Sequence, residues 1–373
     1  MITDESLNDD RSSVSSSHSS ASGDLDMRQY SPLIDSSNSL AVERDEFITD
    51  RSREEDRQDP FYKKYTERMR WFDVLNHERT SEISVILNRQ AGNIPGSVFE
   101  STMKLPADMS VPKMERRLWK SLESDFELVY VAQSCLSWEA LHHQYRKVEA
   151  LASSSSQNGV FYDNVAGEFQ KFQVLLERFM EDEMCESGKR NWNYVRARFS
   201  LRSLLQVPVV SGFYEQENEE IKREAINVKE VMEAIERSML AYWEFIKTDG
   251  RKTWRKSMMR SSLWTWPTVE NPRDLWLQAD LTRKLKRKEL WLKESPGKLR
   301  RWLRREVEPT LEDQSQKKEM LFTMIDLKLV SRVLQMSVLS TAQLKWCQEK
   351  LDDIAFTEGK IARACTGGPL FPP

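Results

Sequence analysis

Hydrophobic residues recur three or four positions apart along most of the chain beyond residue 60, which is the spacing of an amphipathic α-helix. The first such stretch reads DPFYKKYTERMRWFDVL, where Asp59 can cap a helix and Pro60 can occupy its first position. Its apolar positions are Phe61, Tyr65, Met69, Phe72 and Leu75. This pattern predicts a helix from Pro60 to about residue 88, where RQAGNIPGS interrupts it.

The stretch LVYVAQSCLSWEALHHQY at 128–145 contains one cysteine and two histidines, so it is a candidate for a reactive site. It belongs to a predicted helix that runs from near Ser110 and Pro112 to ALASSSSQNG, and its apolar stripe comprises Leu128, Val131, Cys135, Trp138, His142 and Tyr145. Cys135 and His142 share this face but lie roughly 10 Å apart along the helix axis, too far for a thiol–imidazole pair. The pattern favours a buried cysteine and a hydrogen-bonded core histidine over a catalytic pair.

Apolar residues are spaced three or four positions apart again over residues 161–179, 225–246 and 320–338. Short loops such as SSSSQNG and VPVVSG separate these predicted helices. Heptad-like stripes joined by short loops favour antiparallel packing at shallow angles. No alternating strand pattern of useful length and no fixed repeat period occurs. The sequence therefore predicts an all-α fold, a multi-helix bundle with long heptad-patterned antiparallel helices.

The composition agrees with long helices, because only 12 glycines and 13 prolines occur among 373 residues. Four widely separated cysteines form no C-x-x-C pair, which argues against a disulfide framework or a zinc site and favours a reducing compartment. The first residues do not resemble a secretory signal, and no apolar run approaches the ~20 residues that span a bilayer. We expect a cytoplasmic or nuclear protein, with the cytoplasm preferred, and no transmembrane segment.

Residues 1–59 differ sharply from the rest, because they hold 14 serines and 15 acidic residues against 6 arginines. Such a segment buries too little apolar surface to offset its ordering entropy, so we expect a disordered acidic Ser-rich tail. Acidic residues closely follow three serines, and the candidate phosphosites are Ser6, Ser22 and Ser52. The expected organisation is this tail, a helical domain over 60–365 and a C-terminal tail over 366–373.

Residues 247–305 form a basic, tryptophan-rich segment with 18 Lys or Arg against 6 Asp or Glu. Cations interleaved with aromatic side chains can bind nucleic acid through phosphate contacts and base stacking, or an anionic membrane surface. An acidic protein partner, the chain's own tail included, is a further alternative. The candidate anion or nucleic-acid contacts are Arg251, Lys252, Arg255, Lys256, Arg283, Lys286, Arg287, Arg300, Arg301, Arg304 and Arg305.

The same segment also fits an ordinary amphipathic helix. Leu281, Leu285 and Trp291 fall on one helical face, while Arg283 and Arg287 fall on the other. On this interpretation the tryptophans belong to the core and the charges form a solvated face. The sequence leaves both interpretations open, with the solvated helix face preferred.

Motifs for phosphate binding, dinucleotide binding, serine hydrolysis and zinc proteolysis are absent from the sequence. The chain contains only four histidines, and HERTS at 77–81 lacks the second histidine of a zinc motif. Carboxylates are abundant, yet no pair stands out as an acid–base couple. We therefore expect no enzymatic activity, no cofactor and no metal site.

Five blocks in order carry a resemblance to a known family: YKKYTERMRWFDVLN, ELVYVAQSCLSWEALHHQY, GEFQKFQVLLERFMEDE, YVRARFSLRSLLQVPVV and IDLKLVSRVLQMSVLSTAQLKWCQEKL. They resemble a plant family, domain-of-unknown-function family sixteen-sixty-six, whose members often carry a label of large-subunit ribosomal protein of the thirty-four Ae type. The resemblance covers about residues 60–360 and implies a plant source and a helical region, but no reaction. At the position of His143, the family pattern implies a tryptophan.

We expect a non-catalytic plant helical interaction or scaffold protein with protein partners, because heptad stripes are abundant and catalytic motifs are missing. The alternative is an RNA- or ribosome-associated protein that binds through residues 251–305. Large-subunit ribosomal proteins are usually small and strongly basic, whereas this chain has a mass of 43.8 kDa and a net charge of -3, so the alternative ranks second. Binding to a peripheral membrane surface ranks third.

Overall fold

Four fifths of the described residues lie in eight α-helices, which confirms the all-α prediction. The computed structural model describes residues 59–91, 113–154, 160–161, 164–185, 188–214, 226–259, 268–294, 311–357, 360–363 and 370–373. The acidic tail predicted for residues 1–59 lies outside this description except for its last residue.

The helices are numbered in chain order: α1 Pro60–Ala91, α2 Lys113–Ser154, α3 Val165–Cys185, α4 Arg190–Ser200, α5 Val228–Met259, α6 Leu275–Glu294, α7 Leu311–Val333 and α8 Thr341–Asp352. The strands are β1 Val160–Phe161, β2 Phe213–Tyr214, β3 Ile226–Asn227, β4 Thr268–Val269, β5 Val338–Leu339, β6 Ile354–Thr357 and β7 Lys360–Arg363. They form an antiparallel sheet in the order β2-β1-β3, a parallel pair β4-β5 and an antiparallel pair β6-β7. The described strands are at most four residues long, so helix packing builds the core.

The first helix begins where its capping signal places it, and the second follows its predicted apolar spacing. The Asp59 carboxylate accepts a hydrogen bond from the Phe61 amide at 3.0 Å, and its carbonyl accepts one from the Lys63 amide. Helix α2 begins at Lys113 and ends at Ser154, within the polar run predicted to stop it. Capping and periodicity therefore located the start of α1, and periodicity located α2.

Two predicted stripes extend beyond their helices. Phe161 lies in strand β1, where it pairs with Phe213, and α3 begins only at Val165 because the asparagine before it caps the helix there. Helix α7 ends at Val333, and Val338 belongs to strand β5. The amide just before β5 donates to a glutamate of α2 instead of continuing the helix. The three-to-four spacing continues through Phe161, which is buried, and through Val338, which is 38% exposed, so periodicity alone gave wrong boundaries here.

Helix α2 lies at the centre of the bundle and runs antiparallel to its long neighbours. Asp59 at the start of α1 contacts His143 late in α2, whereas Arg79 farther along α1 contacts Asp125 early in α2. Helices α5 and α7 also run antiparallel to α2, because positions farther along each of them contact positions nearer the start of α2. These contacts confirm the prediction of antiparallel long helices.

Helices α3 and α5 pack side by side but run in the same direction. The Ser238 hydroxyl donates to the Phe169 carbonyl at 3.0 Å, and farther along both helices the Phe179 and Phe245 rings lie 5.7 Å apart. The chain between these helices passes through α4, which returns along α2. The bundle therefore contains a parallel pair beside its antiparallel pairs.

Every residue of α2 from Val129 to Leu141 is buried, on all sides of the helix. Helices α1, α4, α5 and α7 contact it and share an aromatic core that includes Trp138, Tyr130 and Tyr242. A helix covered on every side also buries its polar residues, and buried polar groups need hydrogen-bond partners inside the protein. Those partners define one of the two candidate sites below.

Candidate functional site

Among the predicted cations, those whose side chains the structure describes lie on α6. A short 3₁₀ turn, Pro272–Asp274, precedes this helix, and Asn271 caps the turn by accepting a hydrogen bond from the Arg273 amide at 3.1 Å. On the inner face of α6, Leu281 and Leu285 are buried against the neighbouring helices α7 and α8. Burial of this apolar face decides which residues of α6 point outwards.

Two lysines at the edge of the inner face are held by neighbouring elements. Lys284 Nζ lies 3.4 Å from Asp352 Oδ1, and Lys288 Nζ donates to the Ile354 carbonyl at 2.6 Å. Lys288 also lies over the Phe356 ring at 5.3 Å, and burial lowers the pKa of its ammonium group. These lysines attach α6 to α8 and to strand β6, so they are poor contacts for an external anion.

The opposite side of α6 carries a mixed apolar and cationic surface, called here the outer α6 face: Trp276, Arg283, Lys286, Arg287 and Leu290. Trp276 is 72% exposed and Leu290 is 52% exposed. The Arg283 side chain is 63% exposed and makes an ion pair with Asp280 at 3.6 Å. The face extends roughly 20 Å along the helix, which is long enough to contact a partner over several turns.

The structure therefore brings together three of the predicted anion contacts, Arg283, Lys286 and Arg287. Four others lie on α5, whose side chains at these positions are not described: Arg251, Lys252, Arg255 and Lys256. The remaining candidates lie outside the described residues: Arg300, Arg301, Arg304, Arg305, Ser6, Ser22 and Ser52. Their predicted roles stay predictions.

The tryptophans of the basic segment do not share one environment. Trp276 is exposed, so the interpretation that these tryptophans belong to the core is wrong for this residue. Trp291 is partly buried and stacks on Phe356 with ring centroids 3.9 Å apart. The outer α6 face thus exposes one large aromatic ring, that of Trp276.

A second candidate site is a buried charged cluster, consisting of Glu139, Asp326, Lys350 and Arg363. Glu139 accepts hydrogen bonds from the Trp346 indole at 2.7 Å and from the Phe371 amide at 2.9 Å. Its Oε1 lies 3.3 Å from Lys350 Nζ. Burial raises the pKa of Glu139. The pKa of Lys350 is also raised, because the attraction of Glu139 and Asp326 outweighs the lowering effect of burial. Both oxygens of Glu139 are therefore used within the protein.

Asp326 of α7 forms the other half of the cluster. Its Oδ1 accepts a hydrogen bond from the Trp138 indole at 2.8 Å, and its Oδ2 lies 2.5 Å from Arg363 Nη2. Burial opposes ionisation of Asp326, but Arg363 and Lys350 hold the pKa of this carboxyl below its ordinary value. The cluster thereby links α2, α7, α8 and strand β7.

His142 lies beside the cluster, next to the Trp138 and Phe322 rings. Its Nε2 is buried and has no hydrogen-bond partner among the described residues, so the prediction of a hydrogen-bonded core histidine is wrong for this atom. Burial lowers the pKa of His142 to about 3, and Arg363 adds to that effect. Cys135 is buried, and burial raises the pKa of its thiol. At neutral pH both groups are uncharged members of the core.

The geometry of the buried groups suits cross-linking of helices. Within the described ranges, no group of three or more His, Cys, Asp or Glu residues could hold a metal ion. A pocket lined by residues that include Tyr130, Asp249 and Arg332 has room for about one water molecule. The outer α6 face is therefore the better candidate for contact with another molecule.

Sequence reasoning missed the buried charged cluster. Glu139 and Asp326 stand within apolar stretches, a position where a charged residue is costly unless it is paired. That signal was present in the sequence. Their partners Lys350 and Arg363 lie far along the chain, and no rule of local spacing identifies them.

These features define a class of protein: an all-helical bundle built around a helix that is buried on every side over residues 129–141, joined by buried charged pairs, with an aromatic and cationic face on an outer helix. The family model described as Protein of unknown function (DUF1666) matches residues 124–372, more than half of the chain, so the protein belongs to this family. No curated protein and no solved structure matches the chain. Among the described helices, none is long and apolar enough to cross a membrane.

Proposed function

We propose that this protein is a non-catalytic helical interaction protein, a scaffold that binds a protein partner through the outer α6 face. One observation carries the proposal: Trp276 is 72% exposed on the same helix face as Arg283 and Arg287. An exposed tryptophan leaves a large apolar side chain in water. A partner that buries it recovers the hydrophobic free energy.

The residue types on this face indicate what the partner must offer. Tryptophan and arginine dominate the binding energy of protein interfaces, where they fill pockets near the centre of the contact. An apolar pocket suits Trp276, and carboxylates beside that pocket suit Arg283 and Arg287. We therefore propose an acidic protein surface with an apolar pocket as the partner, in the cytoplasm or the nucleus of a plant cell.

The non-catalytic part of the proposal rests on how the buried ionisable groups are used. A general base needs a lone pair that can reach the substrate. Glu139 is engaged by Trp346, Lys350 and the Phe371 amide, and Asp326 by Trp138 and Arg363. Buried carboxylates with internal partners support a structural role.

An RNA- or ribosome-associated function is the second candidate. Arg283, Lys286 and Arg287 lie on the same helix face as the exposed ring of Trp276, and cations combined with an exposed aromatic ring are found on single-stranded nucleic-acid surfaces. Nucleic-acid binding that depends steeply on salt rests on about 6 to 10 phosphate contacts. Lys284 and Lys288 are held internally, so the other candidates of the segment 251–305 would have to supply the rest. The protein partner is therefore the first proposal.

A pulldown from plant extract tests the proposal, with the extract divided and one half treated with RNase. The outer-face variant carries Trp276→Ala, Arg283→Gln and Arg287→Gln. The control variant removes two exposed cations and one exposed apolar side chain from α5 through Lys229→Gln, Arg237→Gln and Leu240→Ala. We expect partners that survive RNase, bind the control variant and are lost with the outer-face variant.

Other outcomes would change the account. Partners that disappear with RNase would favour the RNA-associated function, and the affinity for RNA should then fall steeply with salt concentration. Equal recovery by both variants would contradict binding through the outer α6 face. An enzymatic activity that one side-chain substitution abolishes would contradict the non-catalytic proposal.

A further inference from the structure

Residues 370–373, Leu-Phe-Pro-Pro, lie against the bundle without belonging to a helix or a strand. The Phe371 side chain is completely buried, and its ring meets the Trp346 ring edge-on with centroids 5.1 Å apart. This four-residue stretch, called here the 370–373 segment, is thus anchored by one aromatic side chain. At protein interfaces, residues in well-packed, desolvated pockets carry most of the binding energy.

Two charged side chains contact the main chain of the segment. Glu139 Oε2 accepts a hydrogen bond from the Phe371 amide at 2.9 Å. Arg68 Nη1 donates to the Leu370 carbonyl at 2.6 Å and also to the Phe371 carbonyl. One amide and two consecutive carbonyls are therefore recognised around one buried ring. Main-chain hydrogen bonds combined with a side-chain pocket are a common way to bind an extended peptide.

The residues that form this site hold one another in place. The Phe371 pocket is defined by Arg68 on α1, Glu139 on α2 and Trp346 on α8. The Trp346 indole and Lys350 both contact Glu139 Oε1, at 2.7 Å and 3.3 Å. That arrangement directs Oε2 towards the Phe371 amide. A site held in its binding geometry loses little entropy when a ligand enters.

We propose that the Phe371 pocket is a peptide-binding site for an extended apolar–Phe–Pro–Pro segment of a partner protein, and that the 370–373 segment occupies it in cis. The phenylalanine fills the pocket. The two following prolines have no amide that would need a partner, and they restrict the peptide to extended conformations before it binds. The pocket and the outer α6 face share no residue, so each proposal can fail without the other.

Covalent attachment gives the 370–373 segment a strong advantage over a free peptide. A ligand tethered by a short linker experiences an effective concentration of roughly millimolar at its site. A peptide added to the wild-type protein must compete with that concentration and should bind weakly. Removal of the Phe371 ring should open the pocket to the added peptide.

Fluorescence anisotropy of a labelled TGGPLFPP peptide, the sequence of residues 366–373, tests the proposal. The full chain carrying Phe371→Ala should bind it saturably and at least tenfold more tightly than the wild type, with circular dichroism confirming the fold. A peptide with alanine in place of the phenylalanine should not bind. Adding Arg68→Gln should weaken binding at least tenfold, whereas Arg70→Gln, on an exposed position of α1, should leave it unchanged.

A second experiment keeps the Phe371 ring in place, in case its removal unfolds the protein. A protease site replaces residues 365–368, and the protein is cut after folding. The cut protein should stay folded and exchange its own segment for the labelled peptide. Unfolding on cleavage, or a folded Phe371→Ala protein without saturable binding at about 1 mM peptide, would overturn the proposal. Dimers that exchange the segment between two copies would overturn the choice of a partner protein as the occupant.

Discussion

Trp138 and Trp276 are the same residue type on two amphipathic helices, yet their environments are opposite. Trp138 is 1% exposed and donates a hydrogen bond to Asp326, whereas Trp276 is 72% exposed. Helix α2 is covered on every side over residues 129–141, while α6 is covered along its inner face. The number of neighbouring helices, which the pattern of one helix does not contain, decides whether a tryptophan becomes core or surface.

Charged residues follow the same division. Glu139 is buried with three partners, whereas Arg283 is largely exposed with one ion pair at 3.6 Å. A buried charge is strongly destabilising when its partner is removed, while an exposed pair contributes little to stability. Stability should therefore depend on the surroundings of α2, and binding should depend on the outer α6 face.

The largest expected effect comes from exchanging each tryptophan for alanine. Trp138→Ala removes a fully buried ring and leaves Asp326 without its indole donor, so we expect a loss of about 4 kcal/mol in the free energy of unfolding. Trp276→Ala should change it by less than about 0.5 kcal/mol. Urea denaturation followed by circular dichroism measures both. Equal losses would contradict the distinction between the two helices.

Removal of Lys350 should have the next largest effect. Lys350→Met leaves the Glu139 carboxylate buried without its cation, and we expect a loss of about 3 kcal/mol in the free energy of unfolding. Glu139→Gln in the same chain should restore part of it, because the unpaired charge is removed. The control is Lys247→Met, which breaks the exposed pair with Glu244 at 2.7 Å and should cost less than about 0.5 kcal/mol. Urea denaturation followed by circular dichroism measures both losses. A loss in the free energy of unfolding for Lys350→Met as small as that for Lys247→Met would contradict the account.

The pH dependence of stability should reveal the burial of His142. The unfolded chain takes up a proton near the ordinary pKa of 6.5, whereas burial lowers the pKa of His142 in the folded protein to about 3. The unfolded state therefore binds more protons between these values, so the stability from this group is complete above about pH 6.5 and is lost as the pH falls towards 3. We expect a loss of about 2 kcal/mol between pH 7 and pH 5.

His142→Gln should remove that part of the pH dependence, whatever its effect at pH 7. Urea denaturation at several pH values between 7 and 5 provides the comparison. A wild-type slope that persists in His142→Gln would locate the acid sensitivity elsewhere in the protein.

The smallest effect on stability should come from the cations of the outer α6 face. Arg283→Gln and Arg287→Gln together should change the free energy of unfolding by less than about 0.5 kcal/mol, because both side chains are exposed. Thermal unfolding followed by circular dichroism is sufficient to measure this. A loss of several kcal/mol would mean that these arginines support the fold, which contradicts their assignment to a binding surface.

The sequence predicted the elements that depend on local signals. Asp59 and Pro60 located the start of α1, and the stripe through Cys135 and His142 located α2. Periodicity was wrong for Phe161 and Val338, which lie in short strands. Strand pairing joins residues that are distant along the chain, so the spacing of one segment carries no information about it.

The candidate sites were predictable to a different extent. The outer α6 face could be read from the sequence, because Arg283 and Arg287 fall opposite Leu281 and Leu285 on one helix. The exposure of Trp276 depends on which helices pack beside α6. The buried charged cluster and the Phe371 pocket depend on contacts between helices far apart in the chain. Only tertiary packing brings those residues together.

Photo-crosslinking from position 276 tests most directly the claim that the outer α6 face is the binding surface. A photoreactive phenylalanine analogue replaces Trp276 in one protein and Leu240, another exposed apolar residue, in a control protein. After irradiation in RNase-treated plant extract, we predict a discrete crosslinked protein from position 276 and none from position 240. The same products from both positions, or none from position 276 while partners are still recovered, would contradict the account.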